Sequence, residues 1–380
     1  MILATTLTNF LGRIFLYLLT ERLMITLRNK IGQMLVMGFD GCDIHDKSPV
    51  AEWLSADGLG GVLLFDQDIS TGLYGKNLRN QAQIKRLTHQ LNHYSSEINY
   101  KNNELPLLIA IDYEGGAIDR LSRIEGCMPT MSALNMAQLS PEALQAELTQ
   151  MAFTLKSLGF NLNFAPVVDL HLQEEQGIIG SLHRSFSTSP DDVIHLAKKF
   201  VHIFHHYGIA CCYKHFPGHG SALGDTHKGF VDVTNTFHKE ELVPYYQLVK
   251  DIDKPTLIMT AHVVNKQLDK QGLPATLSYD ILNGLLRETI RYDGVIIADD
   301  LQMQAITDHY SLEDALCMTI NAGADMLIFA NQLAKITAPE VIEVIERLVF
   351  EQRIEQQRIE DAYRRIIRLK QQIKCIELVD

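Results

Sequence analysis

The chain has 380 residues, 46 % apolar and 21 % charged, enough apolar content to bury a large core and to exclude intrinsic disorder. Its 34 Lys and Arg stand against 46 Asp and Glu, a formal net charge of −12. That balance argues against a nucleic-acid partner, because neutralising phosphates needs a basic face. No stretch reaches the roughly 18 to 20 apolar residues of a membrane span, so no stable membrane insertion is expected.

The N-terminal stretch, Met1 to Thr20, is apolar but carries Arg13 in its middle. It lacks a basic residue ahead of its hydrophobic part and a small-residue cleavage site behind it. It therefore reads as an extra helix on a cytoplasmic protein rather than a secretory signal, with Met24 as an alternative start. The six cysteines, Cys42, Cys127, Cys211, Cys212, Cys317 and Cys375, form no C-x-x-C pair and ask for no oxidising compartment.

From there, short apolar or β-branched runs alternate with helical stretches. Strands are predicted at 33–39, 61–65, 107–112, 161–166, 209–215, 256–263, 295–299 and 326–329, and helices at 141–158, 190–207, 239–251, 280–289 and 312–322. Ser140 ahead of Pro141 is an N-cap followed by proline in the first helical position. Near-continuous apolar strands, each followed by a helix, imply a parallel sheet covered on the outside. Eight such units in about 300 residues is the count for a (β/α)8 barrel, although an open doubly wound sheet shares the alternation. The expected organisation is an N-terminal extension over 1–27, a (β/α)8 catalytic domain over 28–335 and C-terminal helices over 336–380 that pack on the barrel or extend from it. In that last segment Val341, Ile342, Val344, Ile345, Leu348 and Val349 predict a buried stripe. Glu351, Arg353, Glu355, Gln357 and Arg358 predict a largely solvated continuation.

In a parallel barrel the active site lies at the C-terminal ends of the strands, where this chain collects its unusual polar residues. Strand three ends in Asp112-Tyr-Glu-Gly-Gly, and strand four in Asn163-Phe-Ala-Pro with Asp169 beyond. Strand five runs into Lys214-His215-Phe-Pro-Gly-His219-Gly and then Asp225-Thr-His227; strand six ends in Thr260-Ala-His262 and strand seven in Asp299-Asp300. A strand-end Asp is often only a helix cap. Five polar ends on one rim are hard to read that way. Asp299, projecting from a rigid apolar strand, suits a nucleophile, and Asp225 beside His227 in a Gly-flanked loop suits a proton shuttle. Lys214, His215, Arg120 and Arg184 offer donors for hydroxyl groups. Together they fit glycoside cleavage through a covalent intermediate, with a His–Asp dyad in place of the usual second carboxylate. The competing reading is a metal-dependent hydrolase built on His215, His219, Asp225, His227, His262 and Asp299.

The run Lys214-His-Phe-Pro-Gly-His-Gly with Asp225-Thr-His227 resembles the signature of bacterial β-N-acetylglucosaminidases of glycoside hydrolase family 3. The likeness extends, in family order, over Ile31-Gly-Gln-Met-Leu, Gly60-Gly-Val-Leu-Leu-Phe, Ile111-Asp-Tyr-Glu-Gly-Gly, Asn161 to Asp169, Arg184-Ser-Phe, Ala261-His-Val, Pro274-Ala-Thr-Leu-Ser, Asp299-Asp-Leu-Gln-Met and Ala322-Gly-Ala-Asp-Met. The resemblance implies a (β/α)8 barrel that removes terminal β-linked N-acetylglucosamine with retention. Asp299 would be the nucleophile, His227 the acid/base supported by Asp225, and Asp112, Arg120, Arg184, Lys214 and His215 the sugar-binding residues. It resembles the short cytoplasmic enzymes that trim anhydro-muropeptides during cell-wall recycling. The expected partner is a carbohydrate containing N-acetylglucosamine, no metal or organic cofactor is required, and the chain is expected to be a monomer or weak dimer. Two departures stand out: Ala117 replaces an Arg of the family pattern D-x-E-G-G-R-V-x-R, with Asp119 beside the retained Arg120, and Gly180-Ser-Leu-His-Arg184 is longer than the usual G-D-R. Both are expected to alter the substrate-binding wall. A sugar-binding homologue with weak turnover and a phosphorolytic variant are the remaining alternatives.

Overall fold

The computed structural model describes residues 25–101, 105–224, 229, 231–250 and 254–377. The N-terminal extension, Asp225 and His227 therefore lie outside the described residues. Eight strands form a closed barrel: β1 (Leu35–Met37), β2 (Gly61–Leu63), β3 (Leu108–Ile111), β4 (Leu162–Asn163), β5 (Ala210–Phe216), β6 (Thr256–Thr260), β7 (Val295–Ala298) and β8 (Met326–Phe329). Each pairs in parallel with its neighbours in sequence. The pairing of Val36 with Ile328 joins β8 back to β1, the closure that an open doubly wound sheet lacks. Every predicted strand position holds a barrel strand. Residues such as Leu108–Ile111 are buried throughout because one face fills the barrel and the other meets helices.

Helices Pro141–Leu158 and Leu312–Ala322 begin where their serines cap them, Ser140 accepting from Ala143 N and Ser311 from Asp314 N. The first ends at Gly159 with φ 89°, where a Cβ would lie 2.4 Å from Thr88 Oγ1. The predicted helix at 239–251 is a 3-10 turn, Lys239–Leu242, running into Val243–Leu248, and Asp280–Thr289 is wound as a π-helix.

The C-terminal segment forms two helices as expected, but its second half differs from expectation. Helix Ala338–Phe350 buries Val341, Ile342, Ile345 and Leu348 as predicted. The next helix, Gln356–Glu377, is not a solvated continuation: Ile359, Ala362, Ile366, Leu369 and Ile373 are buried at three- and four-residue spacing. Glu351, Arg353, Glu355 and Gln357 are exposed, but Arg358 reaches Asp325 at 2.6 Å and the carbonyl of Ala324 at 2.7 Å. This helix packs on helix Leu27–Gln33 and on β7 at the N-terminal end of the barrel, opposite the site. No helix among the described residues is long and apolar enough to cross a membrane.

Candidate active site

The C-terminal ends of β3 and β5 build the floor of a cleft. Asp112 follows β3, and Glu114 stands two residues further on in a short hairpin (Tyr113–Gly115 with Ile118–Asp119). Lys214, inside β5, donates to Asp112 Oδ1 at 3.1 Å and pairs with Glu114 Oε1 at 2.6 Å. Arg184 arrives on the loop after β4 and grips Glu114 with two 2.8 Å bonds, from Nε to Oε2 and from Nη2 to Oε1. Glu114, Lys214 and Arg184 are all buried. Burial pushes the Glu114 carboxyl up, but the charges of Arg184 and Lys214 outweigh it and hold the group well below the usual carboxylate range. Lys214 is held charged in the same way: burial lowers its pKa, and Glu114 and Asp112 raise it above its ordinary value.

Behind this floor Asp169, fully buried, orients His215. Its Oδ2 lies 2.7 Å from His215 Nδ1, and its oxygens accept from the backbone N–H groups of His215 at 3.1 Å and His219 at 2.8 Å. With one ring nitrogen engaged by the carboxylate, His215 presents Nε2 toward the cleft side, 3.4 Å from Arg184 Nη2. Burial, then the neighbouring His215, push the His219 ring down to about 4, so it is neutral at physiological pH. Glu241, also buried, accepts from the N–H groups of Gly220 at 2.8 Å and Ser221 at 3.3 Å. Asp169 and Glu241 thus anchor the start of the loop that leads to Asp225 and His227.

Asp299 stands at the end of β7. Its backbone N–H donates to Thr260 Oγ1 at 3.4 Å, and its Oδ1 accepts from Asp300 N at 2.8 Å. Asp300 serves the turn instead, accepting from Gln302 N at 3.1 Å and Ala330 N at 3.2 Å. His262 lies behind them, with Nδ1 2.8 Å from Thr276 Oγ1 and Nε2 3.0 Å from the Asp300 carbonyl. It supports the turn rather than facing the cleft.

Asp112, Arg120, Arg184, Lys214, His215 and Asp299 line one cleft of about 770 Å³, open to solvent. Arg120 sits 3.5 Å from Asp66 Oδ1, and its buried Nε has no hydrogen-bond partner among the described residues. Among the described residues no three His, Cys, Asp or Glu side chains converge as a metal site requires. Of the departures near Arg120, one is exposed beside the cleft and the other is engaged in hydrogen bonds of its own loop. Ala117 is exposed at the hairpin turn while its neighbour Ile118 lines the cleft. Asp119 points away, accepting from Leu121 N at 2.9 Å, Thr130 N at 3.0 Å and Thr130 Oγ1 at 2.8 Å. Glu114 and Asp169 lie within the family motifs, where the sequence alone shows no role for them; Asp66, one residue beyond the Gly60 to Phe65 motif, has no signal of its own.

The family described as "Glycosyl hydrolase family 3 N terminal domain" matches residues 26–369. A β-hexosaminidase A of Pseudoalteromonas piscicida is 32 % identical over 335 residues, covering 80 % of this chain and 53 % of that protein. The chain thus spans about half the length of this relative. A β-hexosaminidase of Idiomarina loihiensis is 31 % identical over 287 residues, covering 74 % of this chain and 79 % of its own length. Among solved structures, a glycoside hydrolase family 3 β-N-acetylglucosaminidase from Paenibacillus sp. superposes with a TM-score of 0.80 at 29 % identity, covering 93 % of this chain and 64 % of that one.

Proposed function

The chain belongs to glycosyl hydrolase family 3, and from that premise we propose that it is a retaining exo-β-N-acetylglucosaminidase with Asp299 as nucleophile and His227 as acid/base. The observation that carries the reading is the position of Asp299: a carboxylate on a rigid strand end, opening on a cleft whose floor is a buried array of hydroxyl-binding groups. A terminal sugar accepts hydrogen bonds from Lys214, Arg184, His215 and Arg120 and donates to Asp112. Asp299 then attacks C1 while the protonated His227 gives its proton to the leaving oxygen, so the glycosidic bond breaks as the glycosyl–Asp299 bond forms. In the second step neutral His227 takes a proton from water, whose oxygen displaces the carboxylate at C1 and restores the original configuration. Asp225 supports the imidazolium. No group beyond this chain is needed for either step.

Substrates with N-acetylglucosamine β-linked in cell-wall fragments, and a cytoplasmic location, accord with this reading; all six cysteines are unpaired, as suits a reducing compartment. The test is hydrolysis of p-nitrophenyl β-N-acetylglucosaminide by the wild type beside Asp299→Ala, with and without inorganic phosphate. Turnover lost only in the variant and indifferent to phosphate is the expected result. Near-normal activity of Asp299→Ala overturns the nucleophile, acceleration by phosphate replaces hydrolysis with phosphorolysis, and silence from both proteins points to sugar binding without turnover.

A further inference from the structure

The floor of the cleft is charged, and two exposed apolar side chains stand at its mouth. Ile69 and Leu333 line the same cleft as the buried Glu114, Lys214 and His215, yet they are 54 % and 47 % exposed. They come from loops at opposite ends of the sequence, after β2 and β8, and those loops are locked together. Buried Gln332 accepts from Ile69 N at 3.0 Å and donates to the Gln67 carbonyl at 3.0 Å, and Leu333 is the next residue. Buried Lys76 donates to the Asn331 carbonyl at 2.7 Å. Ile69 itself sits in a tight reversal closed by the Gln67–Tyr74 bridge, with Asp68 Oδ1 accepting from Ser70 Oγ at 2.5 Å and Thr71 N at 3.0 Å. Arg123 lies 4.1 Å from the centre of the Tyr74 ring and ties the reversal to the loop after β3. A single exposed Leu or Ile needs no explanation. Two of them, on loops already fixed to each other at the mouth of a site, form a platform whose backbone needs no further ordering when an occupant binds.

We propose that Ile69 and Leu333 form the leaving-group subsite and select substrates whose leaving group carries an apolar face close to the glycosidic bond. The inference rests on the glycosidase reading above. With the terminal sugar held by the buried polar floor, its C1 substituent has to project toward the mouth, where these two side chains stand. Nothing in this subsite bears on the chemical step; it acts on which leaving groups the cleft retains.

The experiment is calorimetric binding of alkyl 1-thio-β-N-acetylglucosaminides, from methyl to hexyl, to the wild type and to Ile69→Ser, Leu333→Ser and the double variant. These ligands are not turned over and differ only in apolar length. A fully buried methylene is worth about fourfold in affinity, so a half-open rim gives roughly twofold per added carbon. The wild type is expected to show that slope, each single variant a shallower one and the double variant an almost flat one. The slope is the readout, so a loss common to the whole series does not count. Equal slopes in wild type and double variant, or a flat series in the wild type, overturn the subsite. Hydrolysis of p-nitrophenyl β-N-acetylglucosaminide separates the two readings: the slope without turnover removes the glycosidase assignment alone, turnover without the slope removes the subsite alone, and no binding and no turnover remove both.

Discussion

Glu114 never needs to touch a substrate to matter, because it neutralises two buried cations at once. Its carboxylate takes Arg184 in both oxygens and Lys214 in one. Glu114→Gln would leave Lys214 with Asp112 as its ion pair and strip Arg184 of its hydrogen-bonded carboxylate. Breaking a buried pair by removing one partner costs about 3–5 kcal/mol. We expect a stability loss of that order by urea unfolding, together with a fall in sugar affinity; a loss under about 1 kcal/mol would mean the cations are solvated after all. The pH sign follows from the depressed pKa. The folded-state value lies below the unfolded one, so the stabilisation is complete above the ordinary Glu range and disappears only as pH falls toward the folded value. The proposed acid/base calls for a different readout. For His227→Ala we expect kcat to fall by about 10²–10⁴ with a phenol of high pKa as leaving group and far less with a dinitrophenol, which needs little protonation. Equal losses for both would remove His227 from that role. At this scale the sequence showed which residues are unusual, Asp112, Lys214, His215 and Asp299 among them, but not which are paired. The role of Asp169 depends on a contact with His215, 46 residues away in sequence, and only the closed barrel supplies it.

Among the elements, the helix Gln356–Glu377 shows where sequence patterning runs out. Its apolar residues recur at helical spacing, but its many Arg and Glu side chains read as solvated unless their partners are known. Those partners come from the turns preceding β7 and β8: Arg358 and Arg365 reach Asp325 at 2.6 Å and 3.3 Å, and Arg365 and Arg368 reach Asp293 at 2.9 Å. Arg287 takes the second oxygen of Asp325 at 2.5 Å, and Ile296 N donates to it at 3.0 Å. Asp325 is fully buried, and burial pushes its carboxyl up, but the three guanidinium groups bring it below its ordinary range. For Asp325→Asn we expect a loss of about 3–5 kcal/mol, because three Arg side chains are then left facing one another. Hydrogen exchange should show helix Gln356–Glu377 opening ahead of the barrel; uniform weakening of the whole protein would contradict the idea of a local clamp. The barrel strands were legible for the opposite reason. A strand buried on both faces writes itself as an unbroken apolar run, needing no partner to be recognised. Helix Gln81–Lys101 is hard to recognise in the sequence because its apolar positions, Ile84, Leu87 and Leu91, are sparse in a polar stretch.

Across the whole molecule, the end of the barrel opposite the cleft is closed by that same helix, and its closure contains a lysine. Lys370 is 1 % exposed, and its Nζ donates to Gln33 Oε1 at 2.7 Å, while Gln33 Nε2 donates to the Leu59 carbonyl at 3.0 Å. One amide thus joins helix Leu27–Gln33, the segment leading into β2 and the C-terminal helix. Burial alone pushes Lys370 from its ordinary 10.5 down to about 7. The folded state therefore gives up this proton near neutrality while the unfolded chain keeps it until pH 10 or so. Between those limits the unfolded state binds more protons, and stability rises with pH by at most about 1.4 kcal/mol per unit from this group. Below pH 7 both states are protonated and the contribution is constant. Lys370→Met removes the titration but also leaves Gln33 Oε1 unpaired, a cost that does not depend on pH. Urea unfolding of wild type and Lys370→Met at pH 6, 7, 8 and 9 isolates the effect in their difference. The wild type should gain on the variant steadily from pH 7 to 9 and hold a fixed difference below 7. A difference that stays level across all four values would mean that Lys370 keeps its ordinary pKa and that water reaches the closed end of the barrel.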